Sequence, residues 1–452
     1  MPMPRGWWCP QPASVTPACR SSKTSPKPCM PMPMPLKLDD ASLEAWLGQN
    51  SNREISGDYA DWKLEPLRQC LKHLGLRQRP RPITVAGTKG KGSTVAFLES
   101  IYTAHSLPCL AFSSPHVLTV RERWRRQGQP LTVAELWPHL PRIDAAINAG
   151  PGHATYFERS FLLACCLCET HSDAVFICEV GLGGRLDCAN ALDAAIACIT
   201  SLGLDHTNVL GPTLHHIARE KLAIARPDAP LLIAAQSPAA AIAIADTLPG
   251  LQPQPQGIYH ITPLAPCPHL GLPGAHQAAN AALAMAAAQA QLGSRFDPSQ
   301  ALAGLAQARL PARCQLVSHG QRRLLIDGAH TAESLSATLA CAASSFAGQD
   351  YALILGAAAD KDLHALCAVI PAALPILRCG YASPRSAGPQ HPAWPEHARA
   401  LPWAGDIATA LAHPLLADYP NLVISGSFYL AGEALAQVDH PQLPAAQAEP
   451  QK

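Results

Sequence analysis

The sequence predicts an α/β protein, with a doubly wound, mostly parallel sheet followed by a smaller second α/β domain. Three observations predict it. Short apolar runs alternate with stretches of helical periodicity between residues 83 and 235, as strands joined by crossover helices do. One run, Ile83–Ala86, passes straight into Gly87-Thr88-Lys89-Gly90-Lys91-Gly92-Ser93-Thr94 and on into an apolar helical stretch with Val95, Phe97, Leu98 and Ile101. Beyond a proline-thick interval at 253–268, a second series of strands and helices begins near Arg313.

At 452 residues, 48% of them apolar, the chain can form two domains and a substantial core. A formal net charge of +1 gives no electrostatic case for nucleic acid or an acidic membrane as partner. No apolar run reaches the roughly 18 residues a membrane helix needs. The 16 cysteines are scattered through apolar segments, and the one C-x-x-C, Cys165 to Cys168, lies in a helical run without a second pair at zinc spacing. Buried thiols in a reduced, cytoplasmic enzyme fit this better than a disulfide framework.

In chain order, residues 1–38 are rich in Pro, Ser and Lys, contain no acidic residue, and are expected to be a disordered extension. A transit peptide would need an amphipathic helix that these prolines forbid, and Met30, Met32 or Met34 offers an alternative start. Asp40 or Ser42 can cap a first helix that turns Leu43 and Trp46 inward; a second, at 64–74, puts Leu67, Leu71 and Leu74 on one face. Cys109–Phe112 is a strand halted at Ser113-Ser114-Pro115-His116, which leaves hydroxyls at the edge where open α/β sheets bind ligands. Thr155-Tyr156-Phe157-Glu158 opens an apolar helix through Leu163 and Cys166. Strands follow at 174–180, running through Glu179 into a glycine-rich turn, at 195–200, ending in Ser201 to His206, and at 231–235, after a helix carrying Lys221. Residues 274–280 start a long alanine-rich helix. In the second series, strands lead into Asp327-Gly328-Ala329-His330, to Leu355 and to Ser427. The domains are expected at 39–300 and 301–438, with a loose tail at 439–452.

The strand, glycine loop and helix at 83–101 is a way of holding phosphate: glycines let N–H groups turn inward, the helix N-terminus adds positive charge, and a lysine reaches the terminal phosphates. The spelling departs from G-x-x-x-x-G-K-[ST], because Gly92 follows Lys91 where a hydroxyl residue would stand. Three tips further on offer a hydroxyl, a carboxylate and an imidazole: Ser114, Glu179 and His206. Such a set suits a hard divalent cation better than zinc. Singly, each has a plainer reading, as a turn hydroxyl, half of an ion pair with Arg185, and a core histidine. Their joint position on successive strands favours a site.

The runs V-A-G-T-K-G-K-G-S-T, S-S-P-H, T-Y-F-E, E-V-G-L-G-G-R-L-D, L-D-H-T with L-G-P, R-E-K, G-x-H-Q-x-x-N and D-G-A-H-T, in this order, resemble the folylpolyglutamate synthases and bifunctional dihydrofolate synthases of the Mur ligase superfamily. The resemblance implies a Mur-ligase-like P-loop domain and a smaller C-terminal Rossmann-like α/β domain. It implies that Thr88, Lys89, Gly90, Lys91, Gly92, Ser93, Asn280, Arg313 and Asp327 bind ATP. Ser114, Glu179, His206 and Lys221 would hold magnesium, two ions in all, with Lys221 carbamylated; the plainer reading of Lys221 is an exposed helix lysine. Lys91, Lys221 and His206 are the catalytic candidates. Thr155, Tyr156, Phe157, Glu158, Leu186, Asp187 and Cys188 match segments that hold the pterin substrate, and His330 and Ser427 positions associated with glutamate.

Two departures stand out. D-G-A-H-T-A at 327–332 replaces the family's D-G-A-H-N-P, a form resembling eukaryotic folylpolyglutamate synthases, and Leu310-Pro311-Ala312-Arg313 replaces W-P-G-R. The implied reaction is ATP-dependent ligation of L-glutamate to folates, and also to dihydropteroate, through an acyl phosphate in a monomeric enzyme. A monofunctional folylpolyglutamate synthase, another Mur-type amide ligase, and a nucleotide-controlled binding module that ligates nothing are the alternatives.

Overall fold

The computed structural model describes residues 38–53, 59, 62–252, 254–265 and 267–438. The expected disordered extension, Leu38 apart, and the expected loose tail lie outside them. The first sheet is built from β1 (Ile83–Ala86), β2 (Cys109–Phe112), β3 (Trp124–Arg126), β4 (Gln129–Pro130), β5 (Val175–Glu179), β6 (Ile196–Ile199), β7 (Pro230–Ala234) and β8 (Gly257–Ile261). Their order is β4-β3-β2-β5-β1-β6-β7-β8; β3 and β4 are antiparallel and the other pairings parallel.

The second sheet contains β9 (Gln315–His319), β10 (Arg322–Ile326), β11 (Ala352–Leu355), β12 (Ile376–Cys379), β13 (Trp403–Ala404) and β14 (Asn421–Ser425), in the order β13-β12-β11-β14-β10-β9. Only its β9 edge is antiparallel. Alternate residues of a strand point to opposite faces, so each sheet divides its apolar residues between two clusters. In the first sheet Ala86, Phe112 and Ile199 go to one face, and Val85, Ala111 and Cys198 to the other. In the second, Leu324, Ile354 and Ile424 oppose Leu325, Leu353 and Val423.

The helix Lys91–Ala104 lies on the second of those first-sheet faces, covered by the helices Gln277–Leu292 and Pro298–Gln307. The last of these straddles the division expected at residue 300, yet its Ala301 and Leu305, with Ala308 beyond it, belong to the first-sheet core. The second-sheet core starts at Ala312.

Other local differences have physical causes. The first helix, Asp40–Leu47, is capped by Asp39, whose carboxylate accepts from Ser42 N at 2.9 Å, so neither Asp40 nor Ser42 is the cap. Leu43 and Trp46 are buried as expected, as are Leu67, Leu71 and Leu74 of Glu65–Leu74. The proline-thick interval holds β8, an edge strand whose side chains are largely exposed and which is therefore held by backbone pairing to β7.

Candidate active site

The order β2-β5-β1-β6 decides what meets at the carboxyl edge of the first sheet, and this is the switch point where open α/β sheets bind ligands. It sets side by side the turn with Ser114, the end of β5 at Glu179, the glycine loop after β1 and the 201–206 segment after β6. The register pairs Val85 with Glu179 and Ala86 with Ile199, so the four tips end nearly level. Ser114 N donates to Glu179 Oε2 at 3.4 Å. Thr88 stitches the loop to the β6 tip: its Oγ1 accepts from Gly203 N and donates to Gly203 O, both at 3.1 Å.

Gly90 caps the Lys91–Ala104 helix in the left-handed conformation (φ 87°), and a Cβ there would lie 2.2 Å from Asn280 Oδ1. Both facts require glycine. They also bring Asn280 against the loop: its amide lies beside Gly90 and donates to Gln277 Oε1 at 2.9 Å, while Gln277 reaches Ser93 Oγ at 3.3 Å. Gln277 was not among the expected residues, although it stands in the G-x-H-Q-x-x-N run. Gly92 is in helical conformation, and a side chain at 92 would point toward the Glu179 carboxylate, 3.6 Å from its Cβ. The Lys91 ammonium folds back to donate to Gly87 O at 3.2 Å.

Electrostatics tie these groups together. Burial raises the Glu179 carboxyl above its ordinary value, against the pull of Lys91, Arg313 and Arg125. Burial likewise draws the Lys221 amine down to about 7, with repulsion from Lys91 adding to the effect. Lys221 is 4% exposed on the helix Leu214–Leu222, so the plain reading of an exposed helix lysine is wrong. His206, in left-handed backbone (φ 50°), is drawn down to about 4 by desolvation, so its imidazole is neutral near pH 7. Lys91 acts on Glu179, Asp187, His206 and Lys221 alike.

A divalent cation fits this donor set on one observation: Glu179 is a buried carboxylate that no ion pair within 4.0 Å reaches among the described residues. Among those residues no three of His, Cys, Asp and Glu cluster at metal-binding range. The set therefore provides one carboxylate, one neutral imidazole and a hydroxyl, and Lys221 would become an oxygen donor only after modification. Arg185, the alternative partner for Glu179, instead pairs with Glu220 at 2.7 Å.

In the second sheet, β11, β14 and β10 are adjacent and bring together the 356–362 segment, Ser427 and Asp327 to His330. Asp327 is buried and its carboxylate is taken up by the fold: it accepts from Cys314 N, Ala329 N and Thr338 Oγ1, each at 2.8 Å. It holds the turn that carries Arg313, whose guanidinium lies over the Phe428 ring at 4.5 Å. Ser427 caps the helix Phe428–Gln437, accepting from Tyr429 N at 3.1 Å, and His330 Nδ1 lies 3.0 Å from Gly328 O.

Two cross-sheet ion pairs were not foreseen. Lys89 is engaged by Glu333 on the helix Ala332–Ser345, and Lys361 lies 4.0 Å from Asp205, next to His206. Nothing in a single sequence pairs residues so far apart.

The pterin segments have strong local duties. Thr155 and Glu158 form a capping box, Glu158 Oε2 accepting from Thr155 N at 2.7 Å. Tyr156 is buried and donates to Glu44 Oε2 at 2.7 Å, and the Phe157 ring packs against Gly181. Asp187, pushed up to about 6 by burial, accepts from Gly181 N, Leu182 N and Ala189 N and so folds the glycine-rich turn; Cys188 is buried and Leu186 partly so.

No family model matches the chain. Over 300 residues it is 36% identical to the dihydrofolate synthase/folylpolyglutamate synthase of Escherichia coli K12, a match covering 64% of this chain and 69% of that protein. It is 32% identical over 324 residues to the mitochondrial folylpolyglutamate synthase of Bos taurus, covering 61% of this chain and 54% of the relative. The solved bifunctional folylpolyglutamate synthase/dihydrofolate synthase of Yersinia pestis, complexed with AMPPNP and a manganese ion, superposes with a TM-score of 0.74 at 30% identity, over 88% of this chain and 97% of that one. With two doubly wound sheets, a glycine loop at the switch point of the first and likenesses of this extent, the chain belongs to the folylpolyglutamate synthase/dihydrofolate synthase family of ATP-dependent ligases.

Proposed function

We propose that this protein joins L-glutamate in amide linkage to the carboxylate of reduced folates, and equally to dihydropteroate, with ATP as co-substrate. The observation that carries the reading is the convergence of the glycine loop, Glu179 and the buried Lys221 on one sheet edge that is ion-paired to the second-sheet tip of the same chain.

In the first step the substrate carboxylate takes the γ-phosphoryl group of ATP, the bond to the bridging oxygen breaks, and ADP leaves behind an acyl phosphate. Lys91 holds positive charge beside the transferring group, where preorganised charge acts most strongly. Thr88, Lys89, Gly90, Gly92, Ser93, Asn280 and Arg313 hold the nucleotide, while Asp327 acts by fixing the turn of Arg313. In the second step the amine of glutamate, held by His330 and Ser427, adds to the acyl carbon; the nitrogen loses its proton and phosphate departs. Excluding water between the two sheets protects the acyl phosphate from hydrolysis.

Ser114, Glu179, His206 and Lys221 are the residues proposed to hold two magnesium ions, whose charge when bound offsets that of the phosphate oxygens. A buried amine drawn down to about 7 is largely unprotonated just above neutrality, and can take up carbon dioxide with loss of a proton to give a carbamate. Thr155 to Glu158 and Leu186 to Cys188 shape the pterin pocket chiefly through Phe157 and Leu186, since Thr155, Tyr156, Glu158 and Asp187 are occupied locally.

Both halves of the site come from one chain, which supports a monomer as the working unit. No helix among the described residues is long and apolar enough to cross a membrane. A reducing cytoplasm is proposed as the place of work on the thiols, which are free and mostly buried among the described residues. The test is incubation of purified protein with ATP, labelled glutamate and either dihydropteroate or tetrahydrofolate. Label is expected in both products. Label in the tetrahydrofolate product alone would reduce the reading to a monofunctional synthase, and label in neither would overturn it.

A further inference from the structure

The turn that carries Ser114 continues through Val117 and Leu118, and these two residues leave the first sheet to pack against the core of the second. Val117 lands on the helix Phe428–Gln437 at Gly432. A Cβ on Gly432 would lie 2.4 Å from the Val117 carbonyl oxygen, a backbone atom that cannot turn aside. Five residues earlier, about 7.5 Å along the helix at 1.5 Å per residue, the same helix is capped by Ser427. One short path therefore joins Ser114 to Ser427 across the gap between the sheets, and it passes through a contact that only glycine permits.

The turn is built to transmit position. At its start, Arg125 donates to Ser113 Oγ at 2.6 Å and to Glu122 O at 2.7 Å, and its guanidinium is gripped by Glu99 of the Lys91–Ala104 helix, with Nε 3.0 Å from Oε2. Arg125 and Glu99 are both buried. At its end, the Glu122 carboxylate accepts the N–H groups of Val117, Leu118 and Thr119 at 2.8, 2.8 and 2.9 Å. A push on Val117 thus reaches Ser114, with little slack for the turn to absorb it.

We propose that Gly432 is a positioning residue for ligation: its bare backbone lets the helix of Ser427 seat on the Ser114 turn and sets the distance between the phosphate edge and the glutamate edge. This rests on the roles given above to Ser114 and Ser427. Gly432→Ala and the larger Gly432→Val, made in the full chain, should separate the edges by increasing amounts while leaving the glycine loop alone.

The expected result is a graded fall in kcat/KM for glutamate, of roughly 10- to 100-fold for a misplacement of about 1 Å. The dissociation constant for an ATP analogue should change much less than kcat/KM, because of the residues given to the nucleotide only Arg313 packs on this helix, and the thermal midpoint should fall less for Gly432→Ala than for Gly432→Val. Gly405→Ala, where a Cβ meets nothing within 4 Å, is the control and should ligate normally. Wild-type kinetics in both Gly432 variants would overturn the inference while leaving the ligase reading intact. So would a loss of ligation matched by equal losses in nucleotide affinity and thermal midpoint, which would mark Gly432 as structural only. Absence of ligation in the wild-type protein would instead sink the reading on which the inference rests.

Discussion

At the edge of the first sheet Glu179 and Lys221 are buried with their charges unmatched at close range, while at the edge of the second Asp327 and Ser427 spend their oxygens on the fold. Burial shifts the protonation of Glu179 upward and of Lys221 downward, and one ammonium, that of Lys91, acts on both. Asp327 instead accepts three hydrogen bonds, and Ser427 caps a helix. The difference teaches that the first edge keeps buried charge available, as the proposed phosphate chemistry there requires, and that the second sheet contributes a firmly built wall. A buried charge without a partner is costly, so the first edge is maintained at the expense of stability and the second in support of it.

The comparison is broken most sharply at Lys91. Lys91→Ala should lower turnover by at least roughly 10²- to 10³-fold, the scale for losing one preorganised charge contact, and ligation at the wild-type rate would remove Lys91 from the chemistry. Next comes Asp327→Ala, which strands buried donors at about 1 to 3 kcal/mol each. Its denaturation midpoint should fall further than its nucleotide affinity; the reverse order would make Asp327 a ligand contact after all.

Lys221 gives a smaller effect with a definite sign. Below about pH 7 its amine is protonated in folded and unfolded chains alike, and the cost of burying the charge is felt in full. Between about 7 and the ordinary 10.5 the unfolded chain binds a proton that the folded one does not, so stability rises with pH. In cation-free buffer without carbon dioxide, Lys221→Met should flatten that rise, as followed by denaturation midpoints from pH 6 upward. The smallest change is expected from Glu333→Gln, which frees Lys89 from a pair whose side chains are 30% and 78% exposed. Such pairs contribute about 0.2–1 kcal/mol, so ATP affinity should rise by no more than about fivefold.

What could be read in the sequence follows burial. Strands covered on both faces, such as β1, β2, β6, β11 and β14, are continuous apolar runs and stand out. Edge strands such as β8 and β9 expose side chains and have no such run, and β3 (Trp-Arg-Arg), beside the short edge strand β4, buries Trp124 and Arg125 but is too short and too charged to form one. β12 was hidden differently: its Arg378 is buried, donating to the carbonyls of Pro389, Arg399 and Leu401, so a charged residue stands where the core pattern calls for an apolar one. Local spelling singles out the glycine loop, Glu179 and Lys221, and the structure puts the loop at the end of a buried strand and buries both side chains. The pairs Lys89–Glu333 and Lys361–Asp205 were not, because they depend on how two sheets meet. Thr155 and Glu158 show the converse, a family motif whose most visible duty here is to start a helix.

The Glu122 carboxylate, with three amide protons gathered on it, also provides a clock. Those protons on Val117, Leu118 and Thr119 can exchange with solvent only when the turn lets go of Glu122, and the turn is seated on the second sheet. Their exchange rates therefore count the openings of this turn, the one that carries Ser114 and touches the second-sheet core, from inside the molecule and without a substrate or a label at the site.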